Sequence, residues 1–437
     1  MVNYNEVLEY INQNVGFDCR KNTSVRNLSA VNTAGYFYKT LKSDFYYFQG
    51  ERFGSLPKEF EFTENFVRKT PLLNKYKSIL HEIEMLACSP TDLEKDLREY
   101  IQQQNYVNEL RDENLYFVIW YGWEGDSFTS TMHEGKNSFA SCINRIIDDF
   151  EIPRHKLIFL VSNLIGEKSL KESNHSHIEF WGDNWFEIDA LERDEPEFKR
   201  KLSYSFDEHF SELKNNYEKP CLRANRTWNE DRDFLLYDIF KRNIEDKFIY
   251  EHRQFKASVD MCKAEIGGDA EQIIERINNK IPLVASKSES GGFDHNLSNE
   301  IIPQDIYVRS AFSFISTTFP YNSEIVFFHG STFEPIMNFH PFILNSNYNF
   351  LGHLKDTGYV TFDDIFDESY DLMGDVIKRR ISAVDSVEKI VSLPKEEILN
   401  LIFKSRDKIV HNRNKLIECK SIVRGHTRLA KHLFENE

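Results

Sequence analysis

The apolar positions along this chain follow two spacings. Leu115-Tyr116-Phe117-Val118-Ile119-Trp120 and Lys156-Leu157-Ile158-Phe159-Leu160-Val161 are short, nearly continuous apolar runs, as buried strands show. Between them Phe139, Cys142, Ile143, Ile146 and Ile147 recur at helical intervals, which predicts a helix from about Ser138 to Phe150. Ile152-Pro153 then turns the chain. Strand, helix, strand in this order predicts a parallel pair joined by a right-handed crossover. Ligands of such sheets sit beyond the carboxyl ends of the strands, which here offer Gly122, Trp123, Ser162 and Asn163.

The first 110 residues read differently. Leu72 to Leu86 has helical spacing, and Ser89-Pro90-Thr91-Asp92 opens a helix toward Gln104, so an α-rich N-terminal cap is expected over 1–110. Within it the aromatic stretch Tyr36 to Phe53 fits either a strand or a packed irregular segment. Residues 191–219 are charged with weak periodicity and read as a connection. The boundaries expected are therefore a cap at 1–110, a first Rossmann-like lobe with its connection at 111–219, a second lobe at 220–393, and basic helices at 394–437.

The densest pattern lies from Ile325 to Asp371. Ile325-Val326-Phe327-Phe328 reads as a strand, Thr332 to Phe339 as a short helix, and Pro341-Phe342-Ile343-Leu344 as a second strand. Asn347 is the expected cap of a helix toward Lys355, and Gly358 suits the position that ends it. A helix N-terminus straight after a strand can hold a phosphate on its backbone N–H groups, which makes this stretch a candidate nucleotide site. Further helices are expected at Leu235 to Asn243, Ala270 to Asn279 and Val376 to Leu393, with Pro394 opening a last helical region.

Composition narrows the function classes. A chain of 437 residues that is 41% hydrophobic and 14% aromatic supports a large core and suits two domains. A net charge of −16 argues against a surface built as a whole to hold nucleic acid or anionic membrane. The cysteines Cys19, Cys88, Cys142, Cys221, Cys262 and Cys419 are scattered with no C-x-x-C, as in a reducing cytoplasm. No signal-peptide pattern or spanning apolar run is read, so a cytoplasmic location is expected, the host's cytoplasm if the protein is viral. The one local contrast is a basic stretch from Lys404 to Lys431. It reads more simply as helices paired with acidic surface than as a dock for a polyanion.

Ordered motifs carry a resemblance. Phe333-Glu334-Pro335-Ile336, His340-Pro341-Phe342-Ile343, Leu351, Leu354, Gly358-Tyr359, Thr361-Phe362-Asp363 and Asp367-Glu368-Ser369-Tyr370-Asp371 occur in sequence. Upstream, Asn225, Arg226 and Arg232 fall at the start of a helix. In these residues the chain resembles a family of glycosyltransferase-like proteins common in phage and marine microbial genomes, which are similar to fucosyltransferases. The resemblance implies an α/β protein with the GT-B pair of Rossmann-like lobes. It also implies transfer of a sugar from a nucleotide-sugar donor, a substrate rather than a resident cofactor. By this resemblance Asn225, Arg226, Arg232, Thr317, Gly330, Ser331 and Thr332 would bind the donor. The acceptor, whether glycan, protein or modified DNA base, is left open.

Two departures bear on chemistry. Where that family carries T-E-K, this chain has His329-Gly330-Ser331, and where T-E-T is frequent it has Ser316-Thr317-Thr318. Loss of two carboxylates and a lysine implies either that His329, Glu334 or Asp231 acts instead, or that the chain is a non-catalytic binding or structural relative. Metal sites are weaker readings. Asp231-Arg232-Asp233 matches a D-x-D pattern but falls at a helix start, and His175-Ser176-His177 lacks a third ligand, so no metal is expected.

Overall fold

The computed structural model describes residues 44–48, 77–82, 94–95, 98, 101–102, 107–112, 115–121, 138–161, 163–172, 179–182, 204–224, 229–284, 304–317, 325–326, 328 and 330–418. The chain divides into two compact units. One comprises residues 1–192, 324–328 and 418–437; the other comprises 193–323 and 329–417. Each has its own five-stranded sheet, so the protein is an α/β chain with two separate, mainly parallel sheets.

The first unit holds β1 (Asp44–Phe48), β2 (Lys77–Glu82), β3 (Leu115–Tyr121), β4 (Leu157–Val161) and β5 (Glu179–Gly182). All four neighbouring pairs are parallel, in the order of the chain. The expected crossover from β3 to β4 is helix α1 (Phe139–Phe150). It starts where the Ser138 hydroxyl accepts the Ser141 N–H at 3.2 Å, and ends at Glu151, which takes the left-handed conformation at φ 52°. Its buried stripe is the one read from the sequence, Phe139, Cys142, Ile143, Ile146 and Ile147, extended by Phe150. Helix α2 (Gly166–Glu172) follows β4.

Two strands come from the first 110 residues. Strand β1 lies in the aromatic stretch Tyr36 to Phe53, where a strand is one of the two readings, and β2 corrects the helical reading of Leu72 to Leu86. The apolar core of Lys77-Ser78-Ile79-Leu80-His81-Glu82 is only two residues long and fits either period. So short a run takes its state from the sheet that accepts it. The charged connection expected at 191–219 also holds structure. Helix α3 (Phe206–Asn216) carries a full capping box between Ser205 and Glu208 and buries Phe206, His209 and Leu213.

The second unit holds β6 (Lys219–Ala224), β7 (Phe248–His252), β8 (Leu283–Val284), β9 (Ser310–Ser316) and β10 (Phe342–Asn345). Their spatial order is β10-β9-β6-β7-β8, with β8 alone antiparallel. Counted from β6 this is a doubly wound order: the chain runs outward through β7 and β8, then returns to the other side of β6. The switch point falls between β6 and β9. Strands β7, β9 and β10 are buried along their whole length, as parallel strands covered on both faces are.

Around this sheet stand α4 (Glu230–Lys241), α5 (Val259–Glu265), α6 (Ala270–Asn278), α7 (Gly330–Met337) and α8 (Phe350–Asp356). After them come α9 (Val376–Val391), α10 (Lys395–Lys404) and α11 (Arg406–Glu418). Helix α4 is buried at every residue from Asp231 to Phe240, charged ones included. Helix α8 ends as expected at Gly358, φ 91°, with the Gly358 N–H on Leu354's neighbour Lys355 at 2.8 Å and the Tyr359 N–H on Leu354 at 3.2 Å. Its start differs. The N-cap is Asn349 in the left-handed conformation and without a side-chain cap bond, not Asn347.

The strand expected at 325–328 is likewise revised. Ile325, Val326 and Phe328 are buried but lie outside any strand, and they belong to the first unit. There the Val326 N–H donates to Asn163 Oδ1 at 3.0 Å, and the Leu164 N–H donates to the Val326 carbonyl at 2.7 Å. At Val326 the loop after β4 thus supplies both backbone partners without a ladder.

Candidate functional site

The carboxyl ends of β6, β9 and β10 gather an unusual density of buried polar groups. Arg223 closes the described side chains of β6, Ser316 and Thr317 end β9, Asn345 and Ser346 end β10, and Asp231, Arg232 and Asp233 form the first turn of α4; all are buried. Helix α9 adds Arg379 and Arg380.

Asp231 is the hub. One carboxylate oxygen accepts Arg380 Nη1 at 2.8 Å, and the other accepts the Ser316 hydroxyl at 3.0 Å and the Asn345 side-chain amide. Arg380 reaches on to Glu265 at 2.9 Å. Burial works to lower the Arg380 pKa, but the Asp231 and Glu265 carboxylates outweigh it and raise it. A second buried chain runs beside the first. Arg223 donates to the Arg232 carbonyl at 2.6 Å and meets His252 Nδ1 at 3.2 Å, and His252 Nε2 meets Asp233 at 3.2 Å. The other Asp233 oxygen accepts the N–H groups of Lys256 and Ala257. Burial brings the Arg223 pKa down to about 10 and lowers that of His252, so at neutral pH Arg223 is charged and the imidazole is not.

The donor-binding candidates separate against this frame. Arg232 is inside the cluster, its Nη2 on the Ser316 carbonyl at 3.2 Å, and is 5% exposed. Thr317 is beside it, its hydroxyl 2.9 Å from Ser346 Oγ. Asn225, Arg226 and His329 lie outside the described residues, as do Gly122, Trp123, Ser162, His175 and His177. Gly330, Ser331 and Thr332 form the first turn of α7, which has no acidic residue, and the hydroxyls of Ser331 and Thr332 are buried without a hydrogen-bond partner. By contrast α4 already has Glu230, Asp231 and Asp233 in its first turn, so its dipole is compensated from within. Glu334 is half-buried on α7, with its backbone carbonyl bonded to Asn338. Asn163 is spent on the backbone N–H groups of Val326 and Ile165.

Several motif residues that carry the resemblance hold structure rather than reach into the site. Glu368 accepts the Phe362 N–H at 2.8 Å and the Thr361 hydroxyl at 2.7 Å, which folds the loop between them. The Tyr370 hydroxyl accepts the Leu344 N–H at 3.3 Å. Asp371 accepts the Leu351 N–H at 3.0 Å and so caps α8, the task Asn349 leaves undone; burial pushes its carboxyl up to about 6. His340 sits between the Ser313 hydroxyl at 2.8 Å and the Ser310 carbonyl at 2.6 Å.

Nothing in the sequence pattern marks Arg380, Asn345 or Arg223 as site residues. Arg223 sits one residue after Leu222 in a strand that no apolar run announced, and Arg380 lies in an ordinary-looking helix. Among the described residues no group of three His, Cys, Asp or Glu could hold a metal ion. The described part of the basic stretch is largely paired within its own unit. Arg406 meets Asp207 at 2.8 Å, Lys408 meets Asp363 and Asp364, and Arg413 is buried over the Phe339 ring. No helix among the described residues is long and apolar enough to cross a membrane.

Compared with known protein families and with curated proteins, the sequence matches none. Solved structures that match the chain include an α,α-trehalose-phosphate synthase (UDP-forming) from Burkholderia vietnamiensis, at 10% identity and TM-score 0.36, covering 79% of this chain and 73% of that one. An α,α-trehalose 6-phosphate synthase from Burkholderia multivorans matches at 10% identity and TM-score 0.38, over 84% and 73%. The N-terminal domain of Candida albicans trehalose-6-phosphate phosphatase matches at 12% identity and TM-score 0.35, over 83% and 73%.

Proposed function

We propose that this chain is a glycosyltransferase-like protein that binds a nucleotide-sugar donor at the carboxyl edge of its second sheet and transfers the sugar without a metal. The observation that supports it most is the doubly wound order, with its switch point between β6 and β9 and a cluster of arginines, hydroxyls and amides at that edge. When a glycosyl bond to a nucleoside diphosphate breaks, the leaving diphosphate gains negative charge, and always-charged guanidinium groups suit it. In this reading Arg226 and Asn225 contact the donor, while Arg232 and Thr317 shape the floor. The first turn of α7, Gly330, Ser331 and Thr332, offers backbone N–H groups and the two unpartnered hydroxyls. His329 and Glu334 are the candidates to take the acceptor's proton, and the acceptor is a glycan, a protein or a modified DNA base.

A thermal-shift panel of UDP-, GDP-, CMP- and dTDP-sugars, with and without a chelator, tests the reading. A donor present at a hundred times its dissociation constant adds about 2.7 kcal/mol to stability. Arg226→Ala should weaken that donor by about 1.5–3 kcal/mol, the worth of a charge-assisted bond. Arg232 is the poorer probe, because its removal also disturbs a buried network. If no nucleotide sugar shifts the melting temperature, the reading fails.

One observation favours a second reading, a donor-binding scaffold without catalysis. Asp231 sits among the arginines and holds Arg380, which removes positive charge from the place where a diphosphate would need it. The missing Glu-Lys pair at Gly330-Ser331 points the same way. Gly330→Glu with Ser331→Lys should then raise donor affinity; sugar transfer by the parent at ordinary enzyme rates would discard this alternative.

A further inference from the structure

The described residues leave four large hydrophobic side chains exposed: Met261, Tyr348, Leu372 and Phe403. Phe403 has an aromatic partner in Phe210, ring centroids 5.2 Å apart. Tyr348 (46% exposed) and Leu372 (63%) share one place, the loops beyond the carboxyl end of β10. Their chain neighbours are bonded to each other, the Asn349 N–H donating to the Asp371 carbonyl at 2.8 Å.

The two loops are fixed. Arg379, buried, donates from Nε to the Ser346 carbonyl at 2.8 Å and from Nη1 to the Met373 carbonyl, so it ties one loop to the other. The Asp371 carboxylate pins the start of α8 just after Tyr348. Asn349 holds φ 57°, a conformation that asparagine tolerates and most residues avoid. A large flat side chain is thus held out to solvent on a backbone with little freedom to withdraw it. A contact held this rigidly is preorganised for binding.

The place offers no excess positive charge for a phosphate, since Asp371 and Asp375 flank Leu372 along the chain and offset Arg379 and Lys378. An uncharged, planar group, such as the base end of a nucleotide, suits the exposed apolar pair better. Strand β10 lies two strand spacings from β6, roughly 10 Å, which is within the length of one nucleotide.

We propose that Tyr348, backed by Leu372, is the stacking platform for the nucleobase of the donor, with the phosphates lying toward β9 and the first turn of α7. This rests on the nucleotide-sugar reading and adds to it the base subsite.

Calorimetric titration of the full chain with UDP, GDP and inorganic pyrophosphate tests it, using the parent, Tyr348→Ala, Tyr348→Phe and Leu372→Ser. Base stacking is lost on truncation to alanine, so Tyr348→Ala should weaken the nucleoside diphosphate about 10-fold or more. Tyr348→Phe should stay within about 3-fold of the parent, because the π-face remains. Leu372→Ser should weaken nucleotide in the same direction, and pyrophosphate affinity should be the same in all four. Nucleotide bound as tightly by Tyr348→Ala as by the parent overturns the base subsite and leaves the donor reading standing. Equal losses of pyrophosphate and nucleotide overturn it too, since the defect then lies in the fold or the phosphate site. A parent that binds no nucleotide overturns both. Sedimentation of the same variants covers the remaining occupant: a dimer that Tyr348→Ala dissociates, with nucleotide affinity unchanged, makes the pair a contact between copies of the chain.

Discussion

Single residues at the sheet edge carry unequal weight, and burial decides which matter. Asp231 and Arg380 are both fully buried, so neither has water to fall back on. Arg380→Met should cost about 3–5 kcal/mol in a denaturant titration, because it strands a buried carboxylate. Lys408→Ala, at a pair half open to solvent, should cost under about 1 kcal/mol. Asp371 makes a different forecast. Its folded pKa, about 6, exceeds its unfolded value, so the native state holds the proton more tightly. Its contribution is full below the unfolded value near pH 4 and is lost as pH rises through about 6, a fall of up to about 3 kcal/mol. Asp371→Asn should flatten that part of the profile, read as the difference between urea midpoints at pH 4.5 and pH 7. A variant with the parent's slope would show that another group sets it.

Elements were legible in proportion to how long and how periodic their apolar pattern is. Helix α1 could be read down to its cap because five of its core residues repeat at helical spacing and a serine precedes them. The end of α8 could be read because only a glycine sits easily at φ 91°. Strand β9 shows no such pattern although all of it is buried: Ser310-Ala311-Phe312-Ser313-Phe314-Ile315-Ser316 intersperses serines, and while Ser310 bonds the Ile306 carbonyl four residues back, Ser313 and Ser316 find His340 and Asp231, both far away in sequence. The candidate site was half legible for the same reason. Arg232 belonged to a local motif, whereas Arg380 becomes a site residue only through Asp231, 149 positions away. Helix α3, also missed, bears on acid stability. His209 is buried edge-on against Tyr204 and His340, and neither ring nitrogen finds a hydrogen-bond partner. Burial lowers its pKa to about 3, and burial lowers that of His340 to about 4. Folded values below unfolded ones give stability that is full above about pH 6.5 and drains as pH falls toward those values. At pH 5 each should cost about 2 kcal/mol. His209→Leu should lose less stability than the parent between pH 7 and pH 5, opposite in sign to the change at Asp371.

At the scale of the molecule, the chain passes from one unit to the other and back, since residues 324–328 and 418–437 belong with the first 192. The clasp is Asn163, fully buried, whose side-chain oxygen takes two backbone N–H groups. Asn163→Ala should cost about 1–3 kcal/mol through the donors it leaves unpaired, measured by chemical denaturation. The same connectivity sets an order in time. Chain emerges from a ribosome at about 5–20 residues per second, so the segment that meets Asn163 follows residue 192 by roughly ten seconds. Until then the loop after β4 waits with its partners missing and its apolar neighbours open to whatever else is being made nearby. Slowing or pausing synthesis between residues 193 and 323 should therefore lower the yield of folded protein, and a chaperone that shields nascent chains should restore it.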